Sequence, residues 1–544
     1  MGNRGRQQDY NLLICSDLHL GGTLRGEDVV AAHGKSLPFG VLRRAVKHDR
    51  AVAAFLDYHR LNRASDGQGT LKPWRLIFNG DIFDFLHVDV MPTAENGAPS
   101  EEETVYGLTF AENRSCWKMG VISQVHRHTF EALARFVDAG HECVFVLGNH
   151  DVDLWFEKVR QAFLDALELV STNRSRIREA IHFEPWFHYE PGRIYVEHGH
   201  RFDPYNTFPD PLQPIVVTEE RQLAPTFGHF SLRYFCNRVR SFPIYDMDKE
   251  PVTKILKWVI GAPKKEVAFA FGYWLYFLWK YFTVNVWLRK ETHEMGATLR
   301  HRRREKLRGV ATRTGLSLKN VLALDRLRRR HVGASFSRLA QSMQLDIIAL
   351  TLAVVAGVSL SVSSLDGLLA LCGGLTSILT GVFMLTRLNR TRPIVDVQPV
   401  LGKLARRIGK LTRTKVVVFG HTHKATIETN GGVQWINPGS WEHLPYTASH
   451  EHSETCGCAL KYGVFVGGRK NDQIYLFDWC AVNAEPIGAE QPARGRFSVA
   501  RAQLSRGVGS LHSRFDHILS GLRNRPRHVT TLRNRTQVAE SEMR

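Results

Sequence analysis

Five times along this chain an apolar run of strand length stops at a cluster of Asp, His and Asn. Residues 10–15 lead into Asp17-Leu18-His19, and residues 74–78 into Asn79-Gly80-Asp81. Residues 143–147 end at Gly148-Asn149-His150-Asp151, residues 193–196 at Glu197-His198-Gly199-His200, and residues 415–419 at Gly420-His421-Thr422-His423. Runs this short, bounded by glycine, read as buried strands. Helical patterns over 41–59, 121–139 and 154–170 separate the first four, so strands and helices alternate. Ligands of such folds gather at strand ends, where all five clusters fall. Residues 91–103, rich in Pro, Gly and Glu, read as an exposed loop.

The clusters pool Asp17, His19, Asp81, Asn149, His198, His421 and His423. Carboxylate, imidazole and amide oxygen without thiolate suit Mn²⁺, Fe or Zn²⁺ in a reactive site better than a structural zinc. Asp17 and His19 are two apart, as are His421 and His423, so on a continuing strand each pair faces one way. A single carboxylate such as Asp81 can bridge two cations, the arrangement of two-metal phosphoryl chemistry.

The order Asp17-x-His19, Gly80-Asp81, Gly148-Asn149-His150-Asp151, His198-Gly199-His200, Gly420-His421-x-His423 resembles the calcineurin-like metallophosphoesterase superfamily, over residues 10–205 and 412–480. The resemblance implies an α/β fold, a four-layer α/β/β/α sandwich with two divalent metal ions, Mn²⁺ foremost, at the strand ends. By motif, Asp17, His19, Asp81 and His423 would hold one ion, and Asp81, Asn149, His198 and His421 the other. Whether His198 or His200 is the ligand stays open from sequence alone, the motif favouring His198. The implied reaction is hydrolysis of a phosphoester or pyrophosphate bond by metal-bound hydroxide. His150, not needed as a ligand, would be the proton donor, and Asp151 could orient it. Asn437-Pro438-Gly439-Ser440 resembles the turn after the last metal motif. The early motifs and residues 197–203 are also similar to UDP-2,3-diacylglucosamine pyrophosphohydrolases, which carry Arg where this chain has His150 and lack a long insertion. Arg25, Arg201 and Asp84 could contact substrate, but a place on the solvated surface is the expectation for all three.

The alternation breaks between about 211 and 395, where the composition turns aromatic, basic and then apolar. Residues 345–387 supply two nearly uncharged runs around Ser363-Ser364-Leu365-Asp366-Gly367, long enough for a transmembrane hairpin. Residues 267–288 are apolar but hold Trp274, Tyr276, Trp279, Tyr281 and Trp287 among their aromatics and are interrupted by Lys280, which favours an interfacial or buried position. Because His421 and His423 must return to the side of Asp17 and Asp81, the number of crossings must be even. Arginines on both flanks (Arg326, Arg328, Arg329, Arg330 and Arg338 before; Arg387, Arg390 and Arg392 after) place both ends, and the catalytic domain, in the cytoplasm. Eight scattered cysteines agree with a reducing compartment, and residues 1–9 lack the apolar core of a signal peptide.

The net charge of +19 calls for an anionic partner. Basic residues lying between membrane-seeking stretches favour acidic lipid over nucleic acid. The expected domain plan is a metallophosphoesterase domain split into 1–210 and 396–490 around the 211–395 insertion, with a basic tail at 491–544 that could carry an amphipathic helix at 497–522. The function expected is a membrane-associated phosphohydrolase whose phosphate-containing substrate could be lipid- or nucleotide-linked. Protein phosphatase or cyclic-nucleotide phosphodiesterase is a second enzyme reading, and a membrane sensor or scaffold on the same fold a third.

Overall fold

The computed structural model describes residues 10–24, 37–63, 71–216, 221–239, 242, 257–294, 296–342, 345–364, 367–391, 396–441, 459–466, 473–480 and 484–490. Arg25, the basic tail and its expected helix lie outside them. The strands are β1 (Asn11–Cys15), β2 (Trp74–Asn79), β3 (Glu142–Val146), β4 (Ile181–Glu184), β5 (Phe187–Glu190), β6 (Ile194–Glu197), β7 (Ile215–Val216), β8 (Gln222–Leu223), β9 (Val416–Val418), β10 (Thr426–Asn430), β11 (Val433–Asn437), β12 (Ala459–Val466), β13 (Gln473–Cys480) and β14 (Glu485–Glu490). One sheet has the order β14-β13-β12-β1-β2-β3-β4, a second the order β10-β11-β9-β6-β5, and β7 pairs with β8. In the first sheet β1 to β4 are parallel, β12 pairs antiparallel with β1, and β13 and β14 extend that edge as further antiparallel pairs.

The two-residue strand period builds the layers. Leu12 and Ile14 of β1, with Ile77, Val144 and Val146, fill the space between the sheets against Val196, Val416, Val418 and Ile436. Leu13 and Cys15 point the other way, into a core shared with Phe55, Phe130, Phe136 and Phe163 of the first helical layer. On the far side Tyr195, Val417 and Trp435 meet Leu401, Ala405 and Ile408 of the helix Gln398–Thr412. Four layers, helix–sheet–sheet–helix, result. Residues of the insertion complete the last one: Leu307, Val310, Val321 and Leu324 are buried in that same outer core.

Three expectations are corrected. The stretch 91–103 is not wholly an exposed loop, because Ser100 and Glu103 form a reciprocal capping box that starts the helix Glu101–Tyr106. The pattern at 121–139 is two helices, Glu112–Val125 and Arg127–Asp138, parted at His126, whose Nε2 accepts a hydrogen bond from the Gly21 amide at 3.0 Å. Asp84 and Arg201 are buried rather than solvated. The Arg201 guanidinium stacks 3.9 Å from the Trp186 ring centroid and bonds Asp325 of the insertion at 2.8 Å.

Leu345–Ser364 and Gly367–Leu388 are long and apolar enough to cross a membrane, and almost nothing of either is buried inside the protein. The longer helix Lys264–Glu294 is different. Ala270, Phe277 and Tyr281 are buried in a cluster with Phe230, Tyr234, Val332 and Leu339, and Lys280 meets Glu102 at 3.2 Å. The lysine that seemed to interrupt a span therefore faces protein.

Buried imidazoles give the fold a pH dependence. His59 lies among Phe55, Tyr58, Trp74, Tyr462 and Trp479, and neither ring nitrogen has a hydrogen-bond partner among the described residues. Burial pulls His59 and His126 down to about 3, and His141 to about 4. Unfolded, each takes up a proton near 6.5, so below that pH the unfolded chain binds protons that the folded one refuses. Stability is complete above pH 6.5 and falls as the pH drops toward 4, by about 2 kcal/mol per imidazole at pH 5. Thermal unfolding in detergent should show a lower Tm at pH 5 than at pH 7.5; an equal Tm would refute these assignments.

Candidate metal centre

Six of the seven expected ligands gather at the ends of β1, β2, β6 and β9, and Asn149 follows β3 beside His150, whose amide bonds Asp81. Asp17, His19 and His423 form one group with ligand atoms within 4.8 Å of one another, and Asp81, His198 and His421 form another. The backbone is strained there. Eight described non-glycine residues have positive φ, and five of them are Asp17, His19, Asp81, His421 and His423. L-residues seldom adopt that conformation, and where they cluster the surroundings hold them in it. Two motif glycines leave the necessary space. A Cβ on Gly148 would overlap the Asp81 carboxylate and amide, and one on Gly420 would overlap the side chains of Ser16 and Asp17.

The hydrogen bonds fix which ring nitrogens are free for a cation. His198 Nδ1 donates to the Asn79 carbonyl at 2.8 Å, which leaves the lone pair on Nε2, 3.1 Å from Asp81 Oδ2. His421 Nε2 bonds Asp203 at 3.0 Å, and its buried Nδ1 has no hydrogen-bond partner among the described residues. His19 Nδ1 bonds Asp84 at 3.2 Å, so its Nε2 lone pair faces His423 Nε2, also at 3.2 Å, with Asp17 Oδ1 3.2 Å from the latter. The buried Asn149 Oδ1 likewise has no hydrogen-bond partner among the described residues. Lone pairs that face carboxylates or each other at such distances repel unless a cation lies between them. The donor set therefore fits divalent metal. Without metal a proton takes that place: burial opposes it, but Asp81 and Asp17 raise His198 to about 9. Burial likewise works against the Asp81 anion, yet His198, His150 and His19 hold its carboxyl well below the usual range.

His200 is buried beside His198, their ring centroids 5.6 Å apart, and it is His198 that confronts Asp81. Half-buried His150 presents its ring 4.7 Å from that of His19, and its amide donates to Asp81 Oδ1 at 2.8 Å. The carboxylate that holds His150 is Asp84, 3.0 Å from Nδ1. Asp151 accepts instead from the amides of Gly148 at 2.6 Å and Ile82 at 2.8 Å, tying the β3 turn to the β2 turn. Burial and the neighbouring Asp81 push Asp151 up to about 7. Asn437 Nδ2 donates to the Gly420 carbonyl at 3.0 Å, so the Asn437–Ser440 turn braces the last motif.

Three residues were missed. Fully buried Asp84 accepts from His19, His87 (2.6 Å) and His150. Asp203 orients His421, and His229 of the insertion donates from Nε2 to the Asn149 carbonyl at 2.8 Å. The first two had a visible signal, since both stand in the polar clusters that end β2 and β6. His229 had none.

The calcineurin-like phosphoesterase family model matches residues 10–237, and the model of the calcineurin-like phosphoesterase superfamily domain matches residues 389–456. Neither the curated proteins nor the solved structures gave a match. The chain belongs to the calcineurin-like phosphoesterases, metal-dependent hydrolases of phosphoesters that use a dinuclear metal centre.

Proposed function

We propose that the protein is a membrane-anchored phosphohydrolase in which Asp17, His19, Asp81 and His423 hold one metal ion and Asp81, Asn149, His198 and His421 the other. The observation that carries this reading is the convergence of His198 Nε2 on Asp81 and of His423 Nε2 on His19 Nε2 and on Asp17, all within 3.2 Å. When bound, two divalent cations supply a nucleophile at neutral pH and neutralise charge on the phosphoryl group. Mn²⁺ suits the mixed oxygen and nitrogen donors.

The chain itself handles the leaving group. His150 Nδ1 is held by Asp84, which stabilises the protonated ring and leaves Nε2 to pass its proton to the departing oxygen. His150 and His423 are the partly exposed members of the site, with side-chain exposures of 20% and 38%, so a phosphoryl group enters over them. Their solvent-facing rim suits a phosphate carried on a larger body, lipid or nucleotide.

Anchoring is supported by the two unburied apolar helices, and a cytoplasmic catalytic domain by the arginines before and after them. Metal-stripped protein in detergent, supplied with Mn²⁺, Fe²⁺ or Zn²⁺, should hydrolyse at least one substrate among phosphomonoesters, phosphodiesters and nucleotide-diphospho-lipids, and lose that activity to chelator. Turnover that survives chelation would refute the metal assignment. Cell fractionation should leave the protein in the membrane pellet until detergent is added; recovery in the soluble fraction would refute the anchor.

A further inference from the structure

The helix Lys264–Glu294 has two apolar faces, and only one is covered. Phe271, Leu275, Trp279, Phe282 and Val286, spaced four, four, three and four apart, form a single stripe exposed by 46–60%. At 1.5 Å per residue the stripe runs roughly 22 Å. Charge is excluded from its length, because Lys280 turns to Glu102 on the inner side. Basic residues mark its start: Lys257, Lys264 and Lys265 are exposed there, beside exposed Val259 and Ile260.

We infer that this helix lies along the bilayer surface, with the stripe in the boundary between headgroups and acyl chains and the lysines among acidic headgroups. The inference rests on the anchoring proposed above. Three observations commit the stripe to lipid. The hairpin starts from the same cluster that holds the inner face of this helix, for Leu345 packs there with Phe277 and Tyr281. That places the stripe beside the point where the chain would enter the bilayer. Aromatic and aliphatic residues with basic flanks are the composition of interfacial helices. A third crossing is opposed by the inner face, where Ala270, Phe277 and Tyr281 are packed on the catalytic side of the molecule and Lys280 is paired. The helix thus meets lipid on one side and, through Phe227 and Phe230, the segment whose His229 bonds Asn149 on the other. Surface docking would hold the metal centre close to lipid-borne phosphate.

Depth is the deciding quantity. A fluorescent amino acid is installed by codon suppression in the full-length chain at Leu275, Phe282, Leu379 of the hairpin, or Glu305, an exposed residue of the next helix. Each protein is reconstituted in vesicles of phosphatidylcholine and phosphatidylglycerol carrying a spin label at acyl carbon 5 or 12. Leu275 and Phe282 should be quenched several-fold more by the shallow label, Leu379 more by the deep one, and Glu305 by neither. Stripe positions quenched like Leu379 would make the helix a span and overturn the inference. Unquenched stripe positions beside a quenched Leu379 would overturn it in favour of a protein partner or second copy, and leave the anchor standing. An unquenched Leu379 would overturn the anchor as well.

Discussion

Asp81→Asn is expected to lower kcat by at least about 10³-fold, because in the proposed centre this carboxylate would help hold both cations, whose charge stabilisation is worth several kcal/mol. The substitution is chosen to spare the fold. Asparagine tolerates the φ of +53° at this position, and its amide oxygen can still accept from the His150 amide. What disappears is the charge facing His198 and, on the proposed reading, the ligand common to both ions. Circular dichroism should match the wild type while bound metal falls. Turnover at the wild-type rate would show that the chemistry does not use this carboxylate.

His150→Ala should cost about 10²- to 10⁴-fold on a substrate with a poor leaving group, the range of general acid catalysis. On a nitrophenyl ester, whose leaving group departs without a proton, the loss should be far smaller. That split separates a proton donor from a residue that only shapes the site; an equal loss on both substrates would remove His150 from the acid role. Asp84→Asn should act in the same sense but less, about 10- to 100-fold, the cost typical of a group that orients a site residue. Its three histidine partners mean that it disturbs His19 as well as His150.

Much of this site was legible because its residue types have few other reasons to follow short apolar strands. Strand ends gather by topology, so residues 404 apart in sequence, His19 and His423, could be expected to meet. Orientation was harder to see. Asp151 is adjacent to His150, yet the β3 turn directs its carboxylate onto two backbone amides, and Asp84 reaches His150 from another strand. Burial of Asp84 and Arg201 was equally hidden, since both are charged and each relies in part on a partner remote in sequence: His150 for Asp84, Asp325 for Arg201. Composition set 211–395 apart as an insertion, but could not reveal that Leu307 and Val321 pack on the second sheet's outer face. The Lys280 ion pair was invisible for the same reason: Glu102 is remote in sequence.

The central claim is that this chain binds two catalytic metal ions through the residues named. Metal stoichiometry tests it most directly: the purified full-length protein in detergent, dialysed against Mn²⁺, is assayed by mass spectrometry of bound metal, alongside His421→Ala and His423→Ala. Two ions per chain in the wild type, with a clear loss in each variant, is the predicted result. One ion or none in the wild type, or two that survive both substitutions, would contradict the account.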